Sequence, residues 1–200
     1  MEFVKDFATF LHEKGAIKFG DFTLSSGKKS PYYIDLRLTS SYPHIFRKMI
    51  KHLQQLISEK IGLDNFDTIA TVPTGGLVVA TALAFETVKP LIYVRSKQKE
   101  HGTSKSIEGI TTKGMKVLMI DDVATTGESM SNGIKVLKES GVVLNDAYVI
   151  VNRLEGADSE LKSQGVNLHQ ITDVLEITRI LHQSNLVDDK ILEKVKNQIL

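Results

Sequence analysis

Two adjacent carboxylates, Asp121 and Asp122, follow the apolar run Val117-Leu118-Met119-Ile120 and precede Val123-Ala124-Thr125-Thr126-Gly127-Glu128-Ser129. The arrangement reads as a buried strand, an acid pair at its end, then a turn of hydroxyls and glycine leading into a helix. Backbone N–H groups in such a turn, backed by the helix dipole, suit a phosphate monoester. Thr125 and Thr126 add hydroxyl donors, and Gly127 permits close approach. Carboxylates repel that phosphate but accept hydrogen bonds from vicinal hydroxyls. The run therefore fits a ribose 5-phosphate, with phosphate in the turn and sugar over the acids. A capped helix behind an ordinary strand explains the acid pair alone equally well. It does not explain the whole run.

Three other segments carry chemistry. Val72-Pro73-Thr74-Gly75-Gly76 joins a strand to a helix and offers further N–H groups. Arg95-Ser96-Lys97-Gln98-Lys99-Glu100-His101-Gly102-Thr103 is a charged run after a strand, and its polar length suggests a lid rather than a packed connection. Val149-Ile150-Val151-Asn152-Arg153 ends a strand on a guanidinium, which grips a carboxylate or carbonyl with two parallel hydrogen bonds. Neither G-x-x-x-x-G-K-[ST] nor a strand-linked G-x-G-x-x-G occurs, which removes the main support for a P-loop or dinucleotide enzyme.

These segments need a scaffold. Phe3, Val4, Phe7, Phe10 and Leu11 recur at helical spacing, and Gly15 is placed to end that helix. Aromatics and turn residues from Phe19 to Tyr33 read as short strands. From Pro43 the sequence predicts a helix at 44–60, a strand at 68–72, a helix at 76–87, a strand at 91–94, a polar stretch from 95 to 114, a strand at 116–120, a helix at 128–140, a strand at 147–151 and a last amphipathic helix at 188–200. Apolar strands alternating with helices imply an α/β fold, a parallel sheet covered on both faces. Its ligands belong at the carboxyl ends of the strands.

Composition narrows the classes. The chain has 200 residues, 42% hydrophobic and 24% charged, as globular proteins do. Its net charge of +1, from 25 basic and 24 acidic side chains, supplies no overall field for nucleic acid or an anionic membrane. The absence of cysteine removes disulfides, Cys-ligated zinc and a thiol nucleophile. No apolar stretch is long enough to span a bilayer, and Met1 to Asp6 lacks a signal-like pattern, so the expected location is cytoplasmic.

The Val117–Ser129 run resembles the phosphoribosyl pyrophosphate motif of type I phosphoribosyltransferases. Phe22-Thr23-Leu24-Ser25-Ser26-Gly27-Lys28-Lys29-Ser30-Pro31-Tyr32-Tyr33-Ile34-Asp35-Leu36-Arg37 is similar to the signature of the orotate enzymes, and Arg95, Lys99 and His101 match their mobile loop. The segments stand in family order from about Gly15 to Ile177. The resemblance implies a type I α/β core at 43–183, a hood over the base at 1–42 and a C-terminal helix at 184–200. It implies transfer of the phosphoribosyl group to orotate, with release of pyrophosphate. A purine-acting enzyme or a phosphoribosyl-pyrophosphate-sensing regulator of the same fold is the alternative.

By resemblance, Lys99, His101, Asp121 and Asp122 are catalytic. Phosphoribosyl pyrophosphate meets Thr74, Gly75, Arg95, Lys99, His101, Asp121, Asp122, Val123, Ala124, Thr125, Thr126, Gly127 and Glu128. Orotate meets Ser25, Tyr32, Tyr33, Thr125 and Arg153. Mg²⁺ is held mainly by the substrate, with Asp121 and Asp122 touching it through water. Family members are dimers whose loop, here 95–110, serves the neighbouring subunit. The chain departs from the pattern where many members have lysine at the positions of Ser25 and Ser96, and some within 74–76.

Overall fold

Burial of Val4, Phe7, Ala8 and Leu11, spaced by three and four residues, shows why the N-terminal segment is helical: one stripe of α1 (Glu2–Glu13) is apolar. The computed structural model describes residues 2–23, 27, 29–95 and 106–199. It divides into two compact units, 1–49 with 172–200 and 50–171.

In the first unit Gly15 takes φ +67° after α1, a left-handed turn that glycine adopts freely. β1 (Ile17–Thr23) and β2 (Lys29–Ile34) follow as an antiparallel pair with Ile17 opposite Ile34 and Phe19 opposite Tyr32. A 3₁₀ turn, Leu36–Ser41, is capped by Asp35, whose carboxylate accepts from the Arg37 backbone N–H at 3.1 Å. The Arg37 guanidinium also binds it at 2.7 and 2.8 Å and holds the Asp35 carboxyl below its usual range. α2 (Pro43–Lys60) carries the chain into the second unit.

The second unit is a 6-stranded sheet of β3 (Thr68–Thr71), β4 (Leu91–Val94), β5 (Ile107–Glu108), β6 (Lys116–Ala124), β7 (Val143–Asn152) and β8 (Asn167–Asp173), in the order β5-β4-β3-β6-β7-β8. β4, β3, β6 and β7 run parallel, and β5 is antiparallel to β4. Between them lie α3 (Gly75–Thr87), α4 (Glu128–Glu139) and α5 (Ala157–Ser163). Val117 and Met119 pack with Met130, Ile134 and Leu137 of α4, whereas Leu118 and Ile120 are buried outside that cluster. Alternate residues of one strand are thus buried on opposite faces, as a covered parallel sheet requires. Gly133 lets α4 lie close, since a Cβ there would be 2.8 Å from Val72 Cγ1. α6 (Val174–Gln183) and α7 (Asp189–Ile199) return to the first unit, where α6 packs on α1 and α7 packs on α6 and β2.

The expected α/β class and its strand and helix order are observed. β6 runs on to Ala124 instead of stopping at Ile120, so both acids belong to the strand itself. The polar stretch from 95 to 114 contains β5, for which no strand is expected from the sequence. β8, α5 and α6 were not anticipated either. Asp173 caps α6 by accepting from the Glu176 N–H at 2.8 Å, a signal present in Asp173-Val174-Leu175-Glu176.

Candidate active site

The sheet order reverses between β3 and β6, and at that switch point the loops after the two strands part to opposite faces and leave a crevice. β3 stops pairing with β6 at Ala70 and Met119, while β6 continues beside β7 to Ala124 opposite Asn152. The last residues of β6 therefore face the turn after β3 instead of another strand.

That turn is packed onto the acids. A Cβ added at Gly75 would lie 2.5 Å from Asp122 Cγ, and one at Gly76 would lie 2.6 Å from Thr71 Oγ1 and 3.1 Å from Asp121 Cα. No side chain fits at either position while the carboxylates stay in place. Pro73–Thr74 is a cis peptide, and Thr74 is exposed at the start of α3.

The two carboxylates differ in environment. Asp121 is only 9% exposed, and its Oδ1 accepts from the Asp122 backbone N–H at 2.9 Å. Burial, reinforced by the neighbouring Asp122 charge, pushes the Asp121 carboxyl well above its ordinary range, against the opposing backbone donors of Asp122 and Gly76. Asp122 is partly exposed. A sugar lying over both acids, as the sequence suggests, requires both to be open to it. The structure leaves Asp122 partly exposed and buries Asp121.

After Val123 and Ala124 the chain turns through Thr125 and Thr126 to Gly127, at φ +80°, and enters α4 at Glu128. A Cβ at Gly127 would be 3.0 Å from Ala157 Cα, so its conformation and its packing both call for glycine. Thr126 and Glu128 are exposed. The first N–H groups of α4 have no partner within their own helix and suit an anion. Behind the turn, Ser131 Oγ donates to Glu160 at 2.5 Å and accepts from the Gln164 amide, which ties α4 to α5.

Arg153 follows β7, and its N–H donates to the Ala124 carbonyl at 2.9 Å, which fixes it beside the turn at Thr125. Its side chain is 7% exposed and ion-paired with that of Glu155, 2% exposed, at 2.9 Å from Nη2 and 3.1 Å from Nε. Arg95 stands after β4; its N–H donates to Ser106 O at 2.9 Å and its Nη1 to Glu108 at 2.9 Å. Thr74, Gly75, Asp121, Asp122, Thr125 to Glu128 and Arg153 thus share the carboxyl ends of β3, β6 and β7. Tyr32 and Tyr33 belong to the other unit, where Tyr32 is fully buried and Tyr33 is 37% exposed. Ser25, Ser96, Lys99 and His101 lie outside the described residues. Sequence reasoning passed over Asn152 and Glu155; the signal was an acid two residues beyond Arg153.

Residues 41–179 match the phosphoribosyl transferase domain. The chain is 48% identical over 198 residues to the orotate phosphoribosyltransferase of Cenarchaeum symbiosum (strain A), covering 99% of each. Its structure is similar to that of orotate phosphoribosyltransferase from Aeropyrum pernix, with TM-score 0.78, 36% identity, and coverage of 90% of this chain and 99% of that one. It is also similar to Leishmania donovani UMP synthase, with TM-score 0.84, 31% identity and 98% of this chain covered, which amounts to 42% of that longer protein. The chain belongs to the orotate phosphoribosyltransferase family of phosphoribosyl transferases.

Proposed function

We propose that the protein joins orotate to the ribose of phosphoribosyl pyrophosphate, giving orotidine 5′-phosphate and pyrophosphate. One observation carries this reading: the Asp121–Asp122 end of β6 is packed against the Gly75–Gly76 turn and runs directly into a phosphate-binding turn. Relatives that bear the orotate name favour it over a purine-acting enzyme or a regulator.

In this reading the 5-phosphate lies on the N–H groups of Thr125 to Glu128, and Asp122 accepts from the ribose hydroxyls. Pyrophosphate meets Thr74 and Gly75, with Arg95, Lys99 and His101 as its cations. Orotate, already an anion, is gripped by Arg153 beside Thr125, with Ser25, Tyr32 and Tyr33 as the further base-binding residues that the family resemblance implies, and its ring nitrogen attacks C1 of the ribose. Little covalent work remains for the protein, so rate comes from orientation and from stabilising the leaving diphosphate. Asp122 offers a hard, partly exposed oxygen, which fits Mg²⁺ held through water and largely by substrate oxygens. The ion, when bound, supplies counter-charge to the diphosphate. Among the described residues no three acids or histidines form a metal cage, and no helix is long and apolar enough to cross a membrane. A cytoplasmic enzyme agrees with the cysteine-free sequence.

Orotate absorbance, followed with phosphoribosyl pyrophosphate and Mg²⁺, tests the proposal. Consumption that needs both additions is expected. A chain that binds the diphosphate but leaves orotate untouched would refute it.

A further inference from the structure

The turn that carries Arg153 is held by bonds from the backbone and from Asn152. Arg153 N–H donates to Ala124 O and Leu154 N–H to Asn152 Oδ1, both at 2.9 Å, while Asn152 Nδ2 donates to Asp158 and Gln170 at 2.8 Å each. The backbone is therefore fixed by Asn152 and β6. Glu155 reaches the guanidinium itself. Its Oε1 takes both Nε and Nη2, at 3.1 and 2.9 Å, and so grips one edge of a planar fork. With both side chains nearly sealed from solvent, this is not a loose surface pair, and neither charge is comfortable there without the other.

We propose that Glu155 is a positioning residue for the base subsite: it sets the plane of the Arg153 guanidinium before substrate arrives, so that its end edge addresses the anionic base. This rests on the reading of Arg153 as the base-gripping residue. An unrestrained arginine samples many rotamers, and ordering it in advance removes that cost from binding. The grip also supplies charge balance. A cation this deep is held in place by the Glu155 carboxylate that neutralises it.

The test is steady-state kinetics of Glu155→Gln, Glu155→Asp, Arg153→Ala and the Arg153→Ala/Glu155→Gln double variant. Gln keeps the size of Glu and one acceptor oxygen, so the fold should survive; Asp keeps the charge and withdraws it by about one methylene. Glu155→Gln is expected to raise KM for orotate about tenfold, as for one weakened ionic contact, and to leave KM for phosphoribosyl pyrophosphate within about twofold. On the Arg153→Ala background the same change should add nothing to KM for orotate, because the group being positioned is gone. If Glu155→Gln fails to fold, Glu155→Asp is read against the same criterion. Equal effects on both substrates, or a loss of Tm with both KM values unchanged, would overturn the proposal by making the pair purely structural. If Arg153→Ala itself leaves KM for orotate unchanged, the failure lies with the assignment of Arg153, and the inference falls with its premise.

Discussion

At the scale of single residues, the two acids differ in exposure. Asp122 is partly exposed, whereas Asp121 is buried, with its carboxyl against the backbone of Asp122 and Gly76. Asp121→Asn with Asp122→Asn should cut turnover on the order of 10²-fold or more, while circular dichroism shows the fold intact. Near-normal turnover would remove the motif from the mechanism. The pH dependence of stability has a definite sign. The folded pKa of Asp121 is raised above 3.8, so the stability it contributes is present below that value and is lost as pH climbs toward the raised one. Asn stays neutral throughout. The Tm of wild type minus that of Asp121→Asn should therefore shrink as pH increases above roughly 4; a flat difference would mean the carboxyl is not perturbed. Arg153→Ala should raise KM for orotate roughly ten- to a hundred-fold, more than for phosphoribosyl pyrophosphate, since a charge-assisted contact is worth about 1.5–3 kcal/mol. An equal rise for both would reduce Arg153 to a structural role.

At the scale of elements, the site depends on where strands stop. β3 ends early and β6 late, so the turn at Gly75 and the acids meet as neighbours, and the Thr125–Gly127 turn enters α4 against α5. Gly127→Ala tests that packing. Its left-handed backbone costs an alanine roughly 1–2 kcal/mol, and the new Cβ meets Ala157 at 3.2 Å or less. A lower Tm and a higher KM for phosphoribosyl pyrophosphate, with KM for orotate changed little, are expected. An unshifted KM for phosphoribosyl pyrophosphate would mean the turn does not hold the phosphate. β5 escapes sequence reading because two residues carry no period. Its pairing with β4, together with the bonds from Arg95 to Ser106 and Glu108, nonetheless draws the two ends of the charged run together.

At the scale of the molecule, assembly is the open consequence. Phe85 and Val88 of the α3 end are 84% and 90% exposed, apolar surface that a second copy would cover favourably. We expect a symmetric dimer in which the 95–110 segment acts in trans. One inactive variant altered at Lys99 and His101 and another altered at Asp121 and Asp122 should complement when mixed. Half of random dimers are hybrids with one intact site each, so activity should return to about a quarter of wild type. Subunit exchange without recovery would assign the segment to its own subunit's site.

The sequence alone determined the α/β class and the order of the main strands and helices, and it singled out the β6 end as a candidate site, because those signals are local: an apolar run, an acid pair, then hydroxyls and glycine before a helix. It determined Arg153 as a candidate by type and position. Tertiary structure decided what depends on residues far apart in the chain. Nothing near Asp121 announces its burial, which comes from the turn at Gly76, brought over it by the parallel pairing of β3 and β6. Nothing near Gly75 announces that Asp122 fills the space of its missing side chain. Glu155 lies only two residues from Arg153, yet a charge in a turn ordinarily points to water, and only the packed loop beside Ala124 seals the pair. Burial and the approach of side chains across strands are sums over the whole fold, so no window of sequence contains them.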